Sequence, residues 1–137
     1  MHIVLDTNVI VSGILSATGA SRAILDLARR GQVDIMTSAV LLEELEDVLG
    51  RFMPRAAAAE IRVAFEELAI IVEPEHVPEV ARDRDDDHVL AAAVAAGANS
   101  IVTRDRDLLI LDSYDGIEIL EPALALEMIR ATMTEDD

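Results

Sequence analysis

The chain opens Met1-His2-Ile3-Val4-Leu5-Asp6-Thr7-Asn8. An apolar, β-branched run that ends in an acid and two small polar residues reads as a buried strand with chemistry at its carboxyl end. Four further runs share that character: Val33-Asp34-Ile35-Met36, Ile70-Ile71-Val72, Ile101-Val102 and Ile117-Glu118-Ile119-Leu120. Between them lie helical patterns over 21–30, 38–49, 55–68, 86–96, a short 104–111, and a last helix from Pro122 to about Met133. Gly31, Gly50 and Gly97 each follow a helical run and are expected to cap it in the left-handed conformation. Alternating strands and helices predict an α/β protein, a mainly parallel five-stranded sheet with helices on both faces. Residues 1–133 form a single domain in this reading, Glu73 to Asp85 a surface loop, and Thr134 to Asp137 a frayed acidic tail.

Composition narrows the function. With 137 residues, 52% of them hydrophobic, the chain can build a real core. It has no cysteine, which removes disulfides, thiolate metal sites and a cysteine nucleophile. No uncharged run reaches membrane-spanning length, so a cytoplasmic protein without a membrane partner is expected. Phe52, Phe65 and Tyr114 are the only aromatics, too few for an RNA surface of stacked rings. The net charge of −16 argues against passive nucleic-acid binding, and all 11 basic residues are Arg.

Ligands of an open parallel sheet bind at the carboxyl ends of its strands, where the chain order reverses. At those ends stand Asp6-Thr7-Asn8, then Ser38 with Glu43, Glu44 and Glu46 behind it, then Asp85-Asp86-Asp87, then Thr103-Arg104-Asp105-Arg106-Asp107. Leu41, Leu42, Leu45, Val48 and Leu49 make one apolar stripe at roughly 100° per residue. Glu43 and Asp47 lie opposite that stripe, while Glu44 and Glu46 lie on its shoulders. Glu44 is nearer the helix start and is the better ligand candidate. Among Asp85, Asp86 and Asp87 one acid should cap the helix. Asp87, which shares a face with Leu90, Ala91 and Val94, should look inward. Asp107 fits a helix N-terminus. Asp6 has no capping duty unless a helix starts there. Two carboxylates about 4 Å apart repel by about 4 kcal/mol at an effective dielectric of about 20, so converging acids need protons or a divalent cation. Oxygen-only ligation favours Mg²⁺ or Mn²⁺.

Val4-Leu5-Asp6-Thr7-Asn8, Leu42-Glu43-Glu44-Leu45, Asp85-Asp86-Asp87 with Leu90-Ala91, and Val102-Thr103-Arg104-Asp105-Arg106-Asp107-Leu108 resemble, in order and spacing, the PIN domain. The likeness is greatest to the bacterial and archaeal branch of toxins from toxin–antitoxin pairs, and it covers nearly the whole chain. The resemblance implies a three-layer α/β/α sandwich and a metal-dependent endoribonuclease. The family's acids map onto Asp6, Glu44, Asp87 and Asp105 as metal ligands and catalytic residues. Its small polar residue maps onto Thr7 or Asn8, and Thr103 and Arg104 border the substrate. The family often has Pro at the place of Arg84 and a small residue at that of Arg104, which leaves substrate preference open. Arg22, Arg82, Arg84, Arg104 and Arg106 are candidates to hold flanking phosphates. The implied partners are RNA, a cognate antitoxin and a second copy of the chain in a homodimer.

Other readings fare worse. A phosphoryl-aspartate enzyme, a receiver domain or a P-loop NTPase needs a Lys that this chain lacks. A Ser hydrolase lacks its Gly-flanked elbow. The remaining rival is a catalytically degenerate PIN-like module whose acids bind a basic partner.

Overall fold

Strand β1 (His2–Leu5) turns Ile3 and Leu5 to one side and Val4 to the other, and all three are buried. Burial on both faces is what a central strand of a parallel sheet requires. The computed structural model describes residues 1–135. In chain order the remaining elements are α1 (Thr7–Leu15), α2 (Ala20–Arg29), β2 (Asp34–Thr37), α3 (Ala39–Leu49), α4 (Arg55–Leu68), β3 (Ile70–Ile71), α5 (Arg84–Ala96), β4 (Ser100–Val102), α6 (Arg106–Leu109), β5 (Ser113–Tyr114), β6 (Ile117–Leu120) and α7 (Pro122–Glu135). The strands form one sheet in the order β3-β2-β1-β4-β6-β5, parallel except for the last pair.

Two cores sandwich the sheet. Ile3, Leu5, Ile35 and Val102 pack on one face with Val9, Ile24, Leu45, Phe65 and Ile129 from α1, α2, α3, α4 and α7. Val4, Met36, Ile101 and Ile119 pack on the other with Leu90 and Ala93 of α5 and Leu108 of α6. This is the expected three-layer arrangement. Among the described residues no single helix is long and apolar enough to cross a membrane.

The strand order places the switch point. From β1 the chain builds outward through β2 and β3, then crosses back to lay β4 on the other side of β1. The carboxyl ends of β1 and β4, joined in register through Leu5 and Val102, therefore flank the crevice.

Four details depart from the sequence reading. The sheet has six strands rather than five. The extra one, β5, is two residues long and is formed by a hairpin whose central residues, Asp115 (φ 52) and Gly116 (φ 79), both have positive φ. Asp-Gly is the composition such a turn needs. Second, a helix does start after Asp6. Third, Gly31 and Gly97 are left-handed (φ 75 and 59), but Gly50 is right-handed (φ −61), because the chain continues into a turn at Arg51 instead of reversing. Fourth, the last helix runs through Glu135, so of the expected tail Asp136 and Asp137 lie outside the described residues.

Helix α3 carries the second acidic group, and its rotation is fixed by Leu41, Leu42, Leu45 and Leu49, each at most 3% exposed. Ser38 caps it, accepting from the Leu41 amide at 3.4 Å. With that rotation Glu43 is exposed and Glu44 half-buried, while Glu46 on the other shoulder pairs with Arg62 at 3.7 Å. Leu45→Ala should lower unfolding free energy by about 2–5 kcal/mol, whereas Glu43→Gln should stay within about 0.5 kcal/mol of wild type, both read by urea denaturation.

Candidate metal centre

The Asp6 amide donates to the Val102 carbonyl at 2.9 Å, carrying the β1–β4 ladder one residue past the strand. Asp6 then occupies the N-cap position of α1, yet its side chain caps nothing there. Its Oδ2 instead accepts from the Thr103 hydroxyl at 2.7 Å. Thr103 is fully buried, and its oxygen also accepts from the Asp105 amide at 2.9 Å. One hydroxyl thus ties together the ends of two neighbouring strands. Asp105 caps α6, its Oδ1 accepting from the Asp107 amide at 2.9 Å, and Asp107 stays in the first turn of that helix.

Asp86 enters from the first turn of α5. One oxygen from each of Asp6, Asp86 and Asp105 lies within 4.8 Å of the others. Asp86 is 4% exposed, and its Oδ2 is buried with no hydrogen-bond partner. A buried carboxylate oxygen without a donor is costly unless it is protonated or faces a cation. Every donor in the cluster is an oxygen, and the spacing suits one ion touching all three. The residues therefore fit a hard divalent cation such as Mg²⁺ or Mn²⁺.

The electrostatics point the same way. Asp86 is pushed up to about 8, first by burial, then by the charge of Asp105 and a hydrogen bond shared with it, then by Asp6 and Asp83. Glu44 is pushed up to about 7 by burial and the charges of Asp85 and Asp6, against a hydrogen bond from the Thr7 side chain. Asp6 is raised by burial, although its hydrogen bonds to Thr103 and the Thr7 backbone work in the opposite direction. Without a cation Asp86 holds a proton at neutral pH.

The structure brings together Asp6 and Asp105 and leaves Glu44 outside that group, within reach of the charges of Asp85 and Asp6, and it does not bring Asp87 in. Asp87 is buried as expected (2% exposed), but it faces the preceding loop. Its Oδ1 accepts from the amides of Val80 and Ala81 at 3.1 and 2.7 Å, and its Oδ2 lies 3.9 Å from Arg84. With its lone pairs so engaged, Asp87 fastens the loop to α5, and it is the neighbouring Asp86 that joins Asp6 and Asp105 in the cluster. Thr7 and Thr103 are buried against acids, whereas Asn8 and Arg104 are exposed at the mouth. Arg22 is bound to Asp26 at 3.4 Å.

Residues 2–107 match the family model described as PIN domain. The chain belongs to the PIN domain family. It is 30% identical over 117 residues to the uncharacterized protein MJ1680 of Methanocaldococcus jannaschii, a match covering 81% of this chain and 75% of that one. Its fold is similar to that of VapBC2 from Rickettsia felis, solved bound to a DNA fragment from their promoter (TM-score 0.62, 18% identity, covering 88% of this chain and 98% of that one). PAE2754 from Pyrobaculum aerophilum is similar to the same degree (TM-score 0.62, 17% identity, 95% and 89% covered). FitAcB from Neisseria gonorrhoeae is also similar in fold (TM-score 0.56, 19% identity, 88% and 97% covered).

Raised carboxyl pKa values make folding take up protons. Glu44 and Asp86 bind a proton more tightly folded than unfolded, so their contribution is complete below about pH 4 and lost as pH rises through about 7 and about 8. In chelator, stability should therefore fall between pH 5 and pH 8, and the double variant Glu44→Gln/Asp86→Asn should show a flatter profile. Urea midpoints that rise over that interval in the wild type would contradict this electrostatic picture.

Proposed function

We propose that this PIN domain is a metal-dependent endoribonuclease, with Asp6, Asp86 and Asp105 as ligands and Glu44 beside them. The observation that carries this reading is the unpartnered, buried Asp86 Oδ2 within a three-carboxylate cluster at the switch point. A Mg²⁺ or Mn²⁺ ion held there supplies the positive charge that phosphodiester hydrolysis needs and acidifies water.

The chain's own residues do the rest. Thr103 orients Asp6 and, through the Asp105 amide, sets the start of α6, so both carboxylates face the crevice before any cation arrives. Thr7 holds Glu44 from α1. Glu44, ionising at about 7, can accept a proton at its carboxylate near neutral pH. Cation binding must displace the protons on Asp86 and Glu44, so affinity should rise with pH. The net charge of −16 makes RNA binding depend on that cation.

The resemblance to the toxin branch, together with the likeness of fold to VapBC2 and FitAcB, supports a toxin role with a cognate antitoxin. An antitoxin segment rich in Arg or Lys could pair with Asp6, Glu44, Asp86 and Asp105 in place of metal. A homodimer and a cytoplasmic location belong to the same reading.

Two pairs of neighbouring acids test it. Asp86→Asn should abolish the gain in melting temperature on adding millimolar Mn²⁺ and slow cleavage of single-stranded RNA by about 10²-fold or more. Asp87→Asn should melt lower with and without metal but keep the Mn²⁺ increment. If instead Asp87→Asn loses the increment and Asp86→Asn keeps it, the ligand assignment is wrong. In the second pair, Glu44→Gln should reduce cleavage by about 10²-fold while Glu43→Gln leaves it nearly intact. Survival of both variants would put α3 outside the active site.

A further inference from the structure

Arginine is the scarce charge here, 11 against 27 acids, and four arginines (Arg22, Arg29, Arg62 and Arg84) lie within 4.0 Å of a carboxylate. Arg104 behaves differently. It stands in sequence between Thr103, which holds Asp6, and Asp105, a member of the cluster. Among the described residues it makes no ion pair. Its Nη1 donates at 3.2 Å to the hydroxyl of Ser12, on α1. Arg30, Arg51, Arg55, Arg82, Arg106 and Arg130 also lack an ion pair among the described residues, but none of them has a side-chain hydrogen bond either. Arg104 is thus tethered by a neutral partner and, among the described residues, has no acid paired with its charge.

A guanidinium with that combination suits an anion from solvent. Anchoring reduces the entropy lost on binding, and a hydroxyl, unlike a carboxylate, does not neutralise the cation. The remaining N–H groups form the fork that phosphate oxygens accept. Asn8 and Ser12 are four residues apart on α1 and share a face. The exposed Asn8 and Arg104 and the half-buried Ser12 form a polar track that leads away from Asp6.

We propose that Arg104, tethered by Ser12, is a seat for the phosphate next to the scissile one, and that the RNA strand leaves the cluster along the Asn8–Ser12 face of α1. The inference rests on the nuclease reading for the nature of the strand. Arg104 acts here as a binding residue on a flanking phosphate and takes no part in the chemistry.

The test is equilibrium binding of a fluorescently labelled, mixed-sequence, single-stranded RNA of about 12 nucleotides to the full chain. Ca²⁺ replaces the catalytic ions so that nothing is cleaved, and KCl is varied. Arg104→Ala should weaken binding about tenfold at low salt and reduce the slope of log Kd against log[KCl] by about 0.7, the value for one phosphate contact on a single strand. Arg104→Lys should restore most of the slope. Ser12→Ala keeps the charge but frees the guanidinium, so it should weaken binding while preserving the slope. Arg30→Ala makes the same change in net charge at the end of α2, next to the amino edge of the sheet, and should alter neither quantity.

Equal effects of Arg104→Ala and Arg30→Ala would overturn the seat, because only net charge would then matter. If the wild type cleaves RNA in Mn²⁺ but Arg104→Ala keeps the wild-type slope, the seat fails and the nuclease reading stands. A slope that depends on Arg104 without any cleavage in Mg²⁺ or Mn²⁺ supports the seat and removes the nuclease. Absence of binding removes both.

Discussion

Three carboxylates whose oxygens come within 4.8 Å repel one another, by roughly 3.5 kcal/mol per pair at an effective dielectric of about 20. The fold has to hold them there against that repulsion. It does so with the parallel β1–β4 pairing, whose last rung brings Leu5 beside Val102, and with a single buried hydroxyl that donates to Asp6 and accepts from the Asp105 amide. Neither device neutralises charge. Burial first, and the neighbouring charges second, push Asp86 up to about 8 and Glu44 up to about 7, and one buried Asp86 oxygen has no donor.

The topology explains why the repulsion arises at this one place. Had the chain continued from β3 without crossing back, β1 would have lain at the sheet edge, and Asp6 would have met Asp105 only across solvent. By laying β4 against β1 the crossover opens a crevice flanked by two strand ends. The helices α1 and α5 then start or end at that crevice. Asp6 occupies the N-cap position of α1 without capping it, and Asp86 sits in the first turn of α5.

Much of this was legible in the chain. The alternation of β-branched runs and helical stretches gives the layers, and the buried stripe of α3 separates Glu44 from Glu43. The helix α1 was not legible, because Val9-Ile10-Val11 is a β-branched run with little intrinsic helical preference. Burial of all three in the core between the sheet and the neighbouring helices overrides propensity there. The strand β5 was missed although its Asp115-Gly116 turn carries the hairpin composition. The choice between Asp86 and Asp87 turned on a subtler point. Facing inward was the right expectation for Asp87, and it is indeed buried. But α5 begins at Arg84 with Asp83 as its cap, so its first turn lies beneath the loop from Val72 to Asp83. On that turn the inward direction of Asp87 meets the amides of Val80 and Ala81, and only Asp86, one residue and roughly 100° away, reaches the strand ends. Loop amides are invisible to a periodicity argument.

The loop clasp and the carboxylate cluster therefore use the same chemistry to opposite ends. Asp87 and Asp86 are adjacent, both buried and both carboxylates. Asp87 gathers two amide donors and an arginine, so its charge is compensated by the protein itself. Asp86 is given another carboxylate, Asp105, and no donor for its second oxygen, so its charge can be compensated only from outside. A carboxylate deprived of internal partners while its neighbour is fully supplied is the observation on which the proposed metal site rests. That contrast, more than the count of acids in an acidic chain, distinguishes the centre from the solvated carboxylates around it.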